Sequence, residues 1–266
     1  MKAGVDPTPS CTSRQYRSPE PREWRPGYRR WRAMMAVSTE PGDATHLSTS
    51  RDRAELALPS SFVRFRKGAP LYRAGERAEA LFSIVSGVVK SYTMLPDGAQ
   101  HIIVFSFADD LVGSVQNGTH LNSAEALTAV TAYRMPMVAI NAGIRSDPDL
   151  QFHLISQLSH ELHQAQAHAF LLSRQRAISR IGLFLRMLEA HQGTARGSLQ
   201  EIYMPMKRSD IGAYAGISLE AVGRSFQTLV NRGAIAIRDR RYVQIINHAV
   251  FEAAIFDKKA VTQETR

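Results

Sequence analysis

The segment from Arg208 to Gly233 constrains the fold more than any other part of this 266-residue chain. A short helix is predicted over Arg208–Ala215, and Gly216 then supplies the left-handed residue that commonly follows a helix. Ser218 is a good N-cap for a second helix, predicted over Leu219–Arg232. Two short helices joined by a tight glycine-containing turn are the outline of a helix-turn-helix.

The second predicted helix has two chemically different sides. Its apolar side, which should pack into a small core, consists of Val222, Phe226, Leu229 and Val230. In a helix-turn-helix the start of this helix enters the DNA major groove. There an Arg can read guanine, a Glu can read cytosine and an apolar side chain can contact a thymine methyl. The sequence therefore predicts Leu219, Glu220 and Arg224 as base-reading residues, with an ordinary solvated ion pair between Glu220 and Arg224 as the alternative.

Residues around this motif predict contacts with the DNA backbone. After Gly233, the apolar runs Ile235–Ile237 and Tyr242–Ile246 flank a charged turn, which predicts the hairpin wing of a winged helix. Phosphate contacts from such a wing add affinity and salt dependence but little sequence information. The predicted phosphate-contacting residues are Lys207, Arg208, Ser218, Ser225, Arg238, Arg240 and Arg241.

The distribution of charge favours the same partner. The formal net charge of the chain is +9. Residues 173–266 carry 15 basic and 8 acidic side chains, whereas residues 51–172 carry 10 and 11. A basic module joined to a near-neutral one is typical of a protein that contacts a polyanion through one domain. A generally basic proteome is the alternative explanation.

Short apolar runs separated by turn residues predict a β-rich domain over residues 51–147. The runs of strand length are Phe62–Phe65, Leu81–Val85, Val88–Met94, Ile102–Phe107, Ala126–Thr131 and Met135–Ile140. Asp97–Gly98, between two alternating segments, is the clearest hairpin signal. Closely spaced strands favour a compact antiparallel barrel or roll. With the helices that follow, the predicted fold class is α+β.

A long helical pattern over residues 148–173 predicts a dimerisation helix. Leucine and alanine recur there with the heptad period of a coiled-coil seam, and small alanines permit close approach of a second helix. The alternative is a core helix packed on its own domain. The predicted interface residues are Leu154, Leu158, Leu162, Ala165, Ala169 and Leu172. A further helical run, Arg176–Ala190, opens a winged helix-turn-helix domain predicted over residues 174–266.

Several classes of function are disfavoured by what the sequence lacks. No apolar run approaches the roughly 18 residues that a membrane span requires, and no secretory signal is evident, so a cytoplasmic protein is expected. The single cysteine, Cys11, cannot support a cysteine-ligated cluster or zinc site. His160 and His163 share a helix face, but solvated histidines are favoured over metal ligands there. The β-rich region offers only His101 and His120, which disfavours a cupin-like metal enzyme.

Residues 1–50 are predicted to form a disordered tail. They mix Pro, Ser, Thr and Arg without an apolar period that could build a core. Arginines lie beside Trp24 and Trp31, which could touch nucleic acid. A dispensable extension, or an upstream start-site assignment with Met34 or Met35 as the true beginning, is the favoured interpretation.

The segment Met206–Arg224 closely resembles the DNA-binding motif of Crp/Fnr-family transcriptional regulators. The family pattern is Arg-x-(Asp/Glu)-Ile-Gly/Ala, followed by Gly-x-Ser/Thr-x-Glu-x-Val-x-Arg. It is met by Arg208, Asp210, Ile211, Gly212, Gly216, Ser218, Glu220, Val222 and Arg224. The resemblance covers about residues 55–255, in the order β-roll, dimerisation helix and winged helix-turn-helix. It implies homodimers on palindromic DNA, with half-sites roughly 34 Å apart, and RNA polymerase as a further partner.

The β-rich region departs from the better-known sensor chemistries of that family. Where cyclic-AMP receptor proteins carry a Gly-Glu pair and then Arg-Ser/Thr-Ala, this chain has Gly113–Ser114 and then Asn122–Ala126. A cyclic phosphate would therefore lack its counter-charge. Oxygen-sensing Fnr proteins hold an iron–sulfur cluster with several N-terminal cysteines, which Cys11 alone cannot do.

The remaining resemblance is to the FixK-type branch, whose members have no built-in cofactor. It implies a transcription activator of low-oxygen or nitrogen-related metabolism that reads a TTGA- or TTGC-type half-site. Gly223, where many relatives have Ser, leaves the central base preference open. The alternative is an effector-gated regulator with an unidentified small molecule in the β-roll.

Overall fold

The computed structural model describes residues 59–192 and 201–256. The expected disordered tail, residues 1–50, lies outside the described residues. The first part of the described chain contains the strands β1 (Ser61–Phe65), β2 (Pro70–Tyr72), β3 (Ala80–Ser86), β4 (Val89–Met94), β5 (Gln100–Ser106), β6 (Leu111–Val112), β7 (Val115–Gln116), β8 (Thr119–His120), β9 (Ser123–Ala126) and β10 (Val130–Pro136). The helices α1 (Met137–Gly143), α2 (Pro148–Leu172) and α3 (Ala177–His191) follow. The last part contains β11 (Glu201–Tyr203), α4 (Arg208–Ala215), α5 (Leu219–Asn231), β12 (Ile235–Arg238), β13 (Tyr242–Ile245) and α6 (His248–Phe256).

The first ten strands form two four-stranded antiparallel sheets and a short hairpin. One sheet has the order β1-β10-β3-β6 and the other β2-β9-β4-β5, while β7 pairs with β8. Successive side chains of a strand point to opposite faces. The inward-facing ones form one core, made of Tyr72, Phe82, Ile84, Val89, Val112, Ala124, Ala126, Val130 and Ala132. This is the predicted roll, and the α+β fold class is confirmed.

The predicted turn at Asp97–Gly98 joins β4 to β5. Gly98 has φ 82°, and its N–H donates to the carbonyl of Leu95 at 2.9 Å. Glycine adopts this left-handed conformation at little cost. The turn sets the register of the hairpin, with Met94 opposite Gln100.

Two predicted strands are wrong. The run Ala126–Thr131 spans the end of β9, a turn and the start of β10. In that turn the N–H of Leu127 donates to the carbonyl of Val88 at 2.8 Å. The run Met135–Ile140 begins in β10 and continues into α1. Short apolar runs fit a buried strand and a buried helix equally well, so periodicity alone could not separate them.

Helix α2 starts where its capping residues dictate. The Asp147 carboxylate accepts hydrogen bonds from the N–H groups of Asp149 and Leu150, and Pro148 occupies the first helical position. Both features favour a helix start. The helix then runs for 25 residues, which is about 37 Å at 1.5 Å per residue.

Two parallel stripes of heptad period run along α2. The inward stripe consists of Leu150, Leu154, Gln157, Glu161, Gln164, His168 and Leu171, all buried or half-buried except Glu161, which is exposed. Members of it contact their own chain: Gln157 donates to the carbonyl of Asp109, and Glu161 accepts from the hydroxyl of Ser114. The outward stripe, one residue further along, consists of Ile155, Leu158, Leu162, Ala165 and Ala169, all of which are exposed.

The last part of the chain is a winged helix-turn-helix whose core continues into the β-roll. The three-stranded sheet has the order β11-β13-β12. On the β-roll side, Phe105 of β5 lies with its ring centroid 6.1 Å from that of Phe184 and 5.2 Å from that of Tyr214. All three side chains belong to one buried cluster. The outer face of β5 therefore serves as a wall of the helix-turn-helix core.

Candidate nucleic-acid interface

The turn between α4 and α5 has the geometry that the sequence predicts. Gly216 ends α4 with φ 62° and ψ 42°, and its N–H donates to the carbonyl of Gly212. Ser218 begins α5 by accepting a hydrogen bond from the N–H of Ala221 at 3.2 Å. Other residues incur a steric penalty in the left-handed conformation of Gly216, so this glycine fixes how α5 leaves α4.

Helix α5 buries one side and exposes the other. The buried side consists of Val222, Ser225, Phe226 and Leu229. Leu219, Glu220 and Arg224 are exposed together on the first turn and a half. Nη1 of Arg224 lies 3.5 Å from Oε2 of Glu220. An exposed pair at this spacing contributes only about 0.3–0.5 kcal/mol to stability, so both side chains can exchange this contact for another partner at little cost.

Two residues predicted to contact phosphates already have partners within the protein. Ser225 is buried, and its hydroxyl donates to the carbonyl of Ala221 at 2.7 Å, so its hydrogen is already used within α5. Arg208 is half-buried, with its guanidinium carbon 3.4 Å from the centroid of the Phe226 ring. Burial lowers the pKa of Arg208 to about 10. Arg208 thus packs against α5 through a cation–π contact with Phe226.

The wing forms as expected but uses its arginines differently. Asp239 and Arg240, at the tip between β12 and β13, have φ of 50° and 59°, as a tight hairpin turn requires. Nε of Arg238 donates to Oε1 of Glu201 at 2.8 Å, and Nη1 donates to the Asp239 carboxylate at 3.1 Å. Arg238 therefore ties the wing to β11. Arg240 and Arg241, which follow Arg238 at the tip of the wing, are exposed.

Lys207 and Ser218 are the remaining residues predicted to contact the DNA phosphates. Both are exposed, one at the N-terminus of α4 and the other at the N-terminus of α5. Unpaired N–H groups and the helix dipole favour negative charge at such ends. At the start of α4, however, the Asp210 carboxylate already accepts from the N–H of Lys207, so it is the side chain of Lys207 that remains exposed to solvent there.

Two side chains outside the helix-turn-helix hold the turn between α4 and α5 in place. The sequence does not predict a role for either of them. The Nε2–H of His168 donates to the carbonyl of Tyr214 at 2.8 Å, and the two rings stack at 4.0 Å. Burial lowers the pKa of His168, which favours the neutral ring. Nη1 of Arg180 donates to the carbonyls of Ala215 and Gly216 at 2.9 and 3.0 Å. Carbonyls at a helix end lack partners within the helix, so these contacts complete the end of α4.

A buried ion pair joins the β-roll to α4. Lys90 on β4 is 6% exposed, and its Nζ lies 3.4 Å from Oδ1 of Asp210 and 3.7 Å from Oε1 of Glu125. Nζ also donates to the side-chain carbonyl of Gln100 at 3.0 Å. The other carboxylate oxygen of Asp210 accepts from the N–H of Lys207 and so caps α4. One carboxylate therefore both starts the first helix of the motif and anchors it to the roll.

The outward stripe of α2 leaves large apolar side chains in solvent. Leu158 and Leu162 are 64% and 61% exposed. Leu154, predicted to share a seam with them, is half-buried and belongs to the inward stripe, whereas its neighbour Ile155 is exposed on the outward stripe. Leu172 is partly buried against the core of the helix-turn-helix part. Contiguous exposed apolar surface of this kind marks an interaction site.

The histidines of α2 make contacts within the protein. Nε2 of His160 lies 3.3 Å from Oδ1 of Asp110, and this hydrogen bond raises the pKa of His160. Within residues 59–192 and 201–256, no group of three or more His, Cys, Asp or Glu side chains is arranged to hold a metal ion. In the same two ranges no helix combines the length and apolarity needed to cross a bilayer.

Replacing Gly223 with alanine should raise the free energy of unfolding by about 0.5–1 kcal/mol, because glycine is a poor helix former. A Cβ at Gly223 would meet nothing within 4 Å. The matched control is Gly212→Ala, whose Cβ would lie 2.8 Å from the carbonyl oxygen of Ile217 and should destabilise the motif. Urea unfolding of the two variants measures both effects. A loss of stability in Gly223→Ala would mean that this position has a packing role within the chain.

Comparison with known proteins identifies both parts of the molecule. A cyclic nucleotide-binding domain model matches residues 62–147, and a Crp-like helix-turn-helix domain model matches residues 179–254. The nitrogen fixation regulation protein FixK of Bradyrhizobium diazoefficiens is 31% identical over 175 residues, which is 66% of this chain and 74% of that protein. A fumarate and nitrate reduction regulatory protein of Vibrio cholerae is 30% identical over 186 residues, which is 69% of this chain and 74% of that protein.

Solved structures agree with these relatives. FixK2 from Bradyrhizobium japonicum has a TM-score of 0.68 at 27% identity, covering 74% of this chain and 98% of that one. A CRP-family regulator from Thermus thermophilus has a TM-score of 0.62 at 21% identity, covering 73% and 96%, and shares the fold. The predicted family and the prediction of a DNA-binding regulator rather than an enzyme are confirmed. The chain belongs to the Crp/Fnr family of helix-turn-helix transcriptional regulators and is FixK-like within it.

Proposed function

We propose that two copies of this chain bind a palindromic promoter site, each reading one half-site through the start of α5. The observation that carries the proposal is the exposure of Glu220 and Arg224 together on that helix, beside Leu219. Arg224 would donate two hydrogen bonds to a guanine, and Glu220 would accept one from a cytosine amino group. Leu219 would contact a thymine methyl. Because the exposed ion pair between the two charged side chains contributes little free energy, breaking it to contact DNA would cost little.

A second set of exposed groups would neutralise phosphates on either side of the base contacts. It consists of Lys207, Ser218, Arg240 and Arg241. Arg238 would contribute indirectly, because its bonds to Glu201 hold the wing against β11. The wing would then add salt-dependent affinity without adding sequence preference.

The two copies would pair through the outward stripe of α2. Its exposed Ile155, Leu158 and Leu162 have the period of a coiled-coil seam, and the alanines near its end allow close approach. A two-fold axis along this seam would set the half-sites about one helical turn of DNA, roughly 34 Å, apart. Leu172 would lie at the end of the seam.

The relatives' names suggest what such a dimer controls. FixK is named for nitrogen fixation, and the Vibrio cholerae relative for fumarate and nitrate reduction. This chain would therefore act in the cytoplasm as an activator of low-oxygen or nitrogen-related genes, with RNA polymerase as a further partner of the DNA-bound dimer.

Substituting Arg224→Ala tests the base-reading role. It should cost about 1–3 kcal/mol of binding free energy on the cognate site and relax discrimination at one base pair. The matched comparison is Arg240→Ala, which should weaken cognate and scrambled duplexes alike and reduce the salt dependence. Fluorescence anisotropy at several salt concentrations measures both. Equal losses on cognate and scrambled DNA for Arg224→Ala would show that Arg224 contacts phosphate rather than a base.

A second candidate is a regulator whose DNA binding is gated by a small molecule in the β-roll. The observation that favours it is a cavity of about 410 Å³ between the roll and α2, within the size range of small-molecule sites. Glu161 lines this cavity and immediately precedes Leu162 of the outward stripe. A ligand there would be one residue away from the proposed seam. Calorimetry against nucleotides and metabolites separates this candidate from a regulator without an effector.

A further inference from the structure

The cavity beside α2 has a buried polar lining. Ser106 and Asn122 are 4% and 7% exposed, and Tyr72 and Ser91 are also buried. The Tyr72 hydroxyl donates to Oδ1 of Asn122 at 3.3 Å. Burial raises the pKa of Tyr72, so this hydroxyl stays neutral. Buried polar groups normally have hydrogen-bond partners, and several of them facing one cavity provide the partners for a polar ligand.

The charge of the lining is negative. Glu161 on α2 is exposed, and its Oε1 accepts a hydrogen bond from the Ser114 hydroxyl at 3.0 Å. Among the described residues that line the cavity there is no Lys, Arg or His. Lys90 is next to Ser91 on β4, but it lies on the opposite face of the strand and pairs with Asp210. A carboxylate without a cationic partner in the lining favours a positively charged ligand.

The remaining walls are aliphatic. Ile103, Leu111 and Leu121 line the cavity together with the polar groups. Apolar walls contribute by removing a ligand's apolar surface from water. A ligand that is charged at one end and apolar over its body would satisfy both kinds of lining.

We propose that this cavity binds a small monocationic amine with an apolar body, its ammonium group paired with Glu161. An ammonium has three donors and no acceptor, which suits the Glu161 carboxylate and the neighbouring serine hydroxyls. A phosphate would face the same carboxylate with no cation in the lining to offset the repulsion. The inference rests on the second candidate function, a regulator gated by an effector in the roll.

The test measures binding to the full-length chain by calorimetry, in the absence of DNA, so that it succeeds or fails independently of DNA recognition. Two monocationic amines are each paired with a neutral analogue: tyramine with 4-ethylphenol, and isoamylamine with isoamyl alcohol. Cyclic AMP serves as the anionic comparison. We expect at least one amine to bind about tenfold more tightly than its neutral analogue, and cyclic AMP to bind more weakly than that amine.

The variant Glu161→Gln should reduce amine affinity about tenfold and leave the neutral analogue unchanged, because it removes the charge and keeps the shape. Asp149→Asn is the matched control on α2, since Asp149 does not line the cavity and this variant should bind amines as the unmodified chain does. The proposal is overturned if neither amine exceeds its neutral analogue, if Glu161→Gln binds the amine unchanged, or if cyclic AMP binds more tightly than both amines.

Discussion

Replacing Leu162 with glutamate should leave each chain folded and convert the proposed dimer into a monomer. Leu162 is 61% exposed within a single chain, so its own fold gains little from this side chain. In a two-fold seam, however, the two substituted carboxylates would face each other across a desolvated contact, where like charges repel strongly. Affinity for a palindromic duplex should fall on the order of 100-fold, because each half-site would then be bound separately.

The matched control for this substitution is Ser156→Glu. Ser156 is exposed on the same helix but lies outside both stripes. It adds the same charge to α2 and should leave the dimer intact. Sedimentation velocity measures the oligomeric state, and anisotropy with whole and half palindromes measures the DNA affinity. A Leu162→Glu variant that still sediments as a dimer would place the interface elsewhere on the molecule.

Replacing Lys90 with methionine should lower the free energy of unfolding by about 3 kcal/mol, because breaking a buried ion pair leaves its partners uncompensated. Asp210 and Glu125 would both lose their nearest cation. Since Asp210 also caps α4, the loss should loosen the helix-turn-helix against the roll. Urea unfolding of the full chain measures the loss of stability.

Two further variants make this measurement specific. Lys67→Met removes an exposed lysine from the same β-roll and should change stability little. The double variant Lys90→Met with Asp210→Asn should lose less than the sum of the two single losses, because the two side chains act as one unit. Strictly additive losses would show that Lys90 and Asp210 stabilise the fold independently.

The helix-turn-helix could be predicted closely because its ends are fixed by local chemistry. The left-handed glycine at 216 and the capping hydroxyl of Ser218 act within a few residues, so the sequence alone determines where α4 ends and α5 begins. The hairpin at Asp97–Gly98 is predictable for the same reason. Where an element depends on such nearest-neighbour contacts, spacing is sufficient evidence.

The register of α2 could not be predicted in the same way. Both stripes of the helix have heptad period, so spacing alone does not tell which one packs on its own chain. Leu154 and Ile155 are neighbours in the sequence, yet Leu154 lies on the inward stripe and Ile155 on the outward one. The choice is made by distant contacts, such as that of Glu161 with Ser114. Those contacts exist only once the roll has formed.

Individual polar residues were harder still to assign. Ser225, Arg208 and Arg238 each lie in the segment predicted to contact DNA, yet each has a partner inside the protein. The partner is a carbonyl four residues away for Ser225, an aromatic ring for Arg208 and a distant carboxylate for Arg238. Motif position predicts which surface a residue belongs to. It does not predict whether the residue already has a partner within the chain.

The shared core of the roll and the helix-turn-helix limits how this molecule can be recombined with its relatives. Phe105 contributes to the same buried cluster as Phe184 and Tyr214, and Lys90 neutralises Asp210 across the same boundary. In a chimera that joined another protein's DNA-binding part at α3, Phe105 would pack against different side chains. Lys90 would lose the carboxylate of Asp210. To exchange operator specificity between family members, the outward-facing residues of β4 and β5 must therefore be transferred together with the helices. Alternatively, only the exposed positions of α5 are changed.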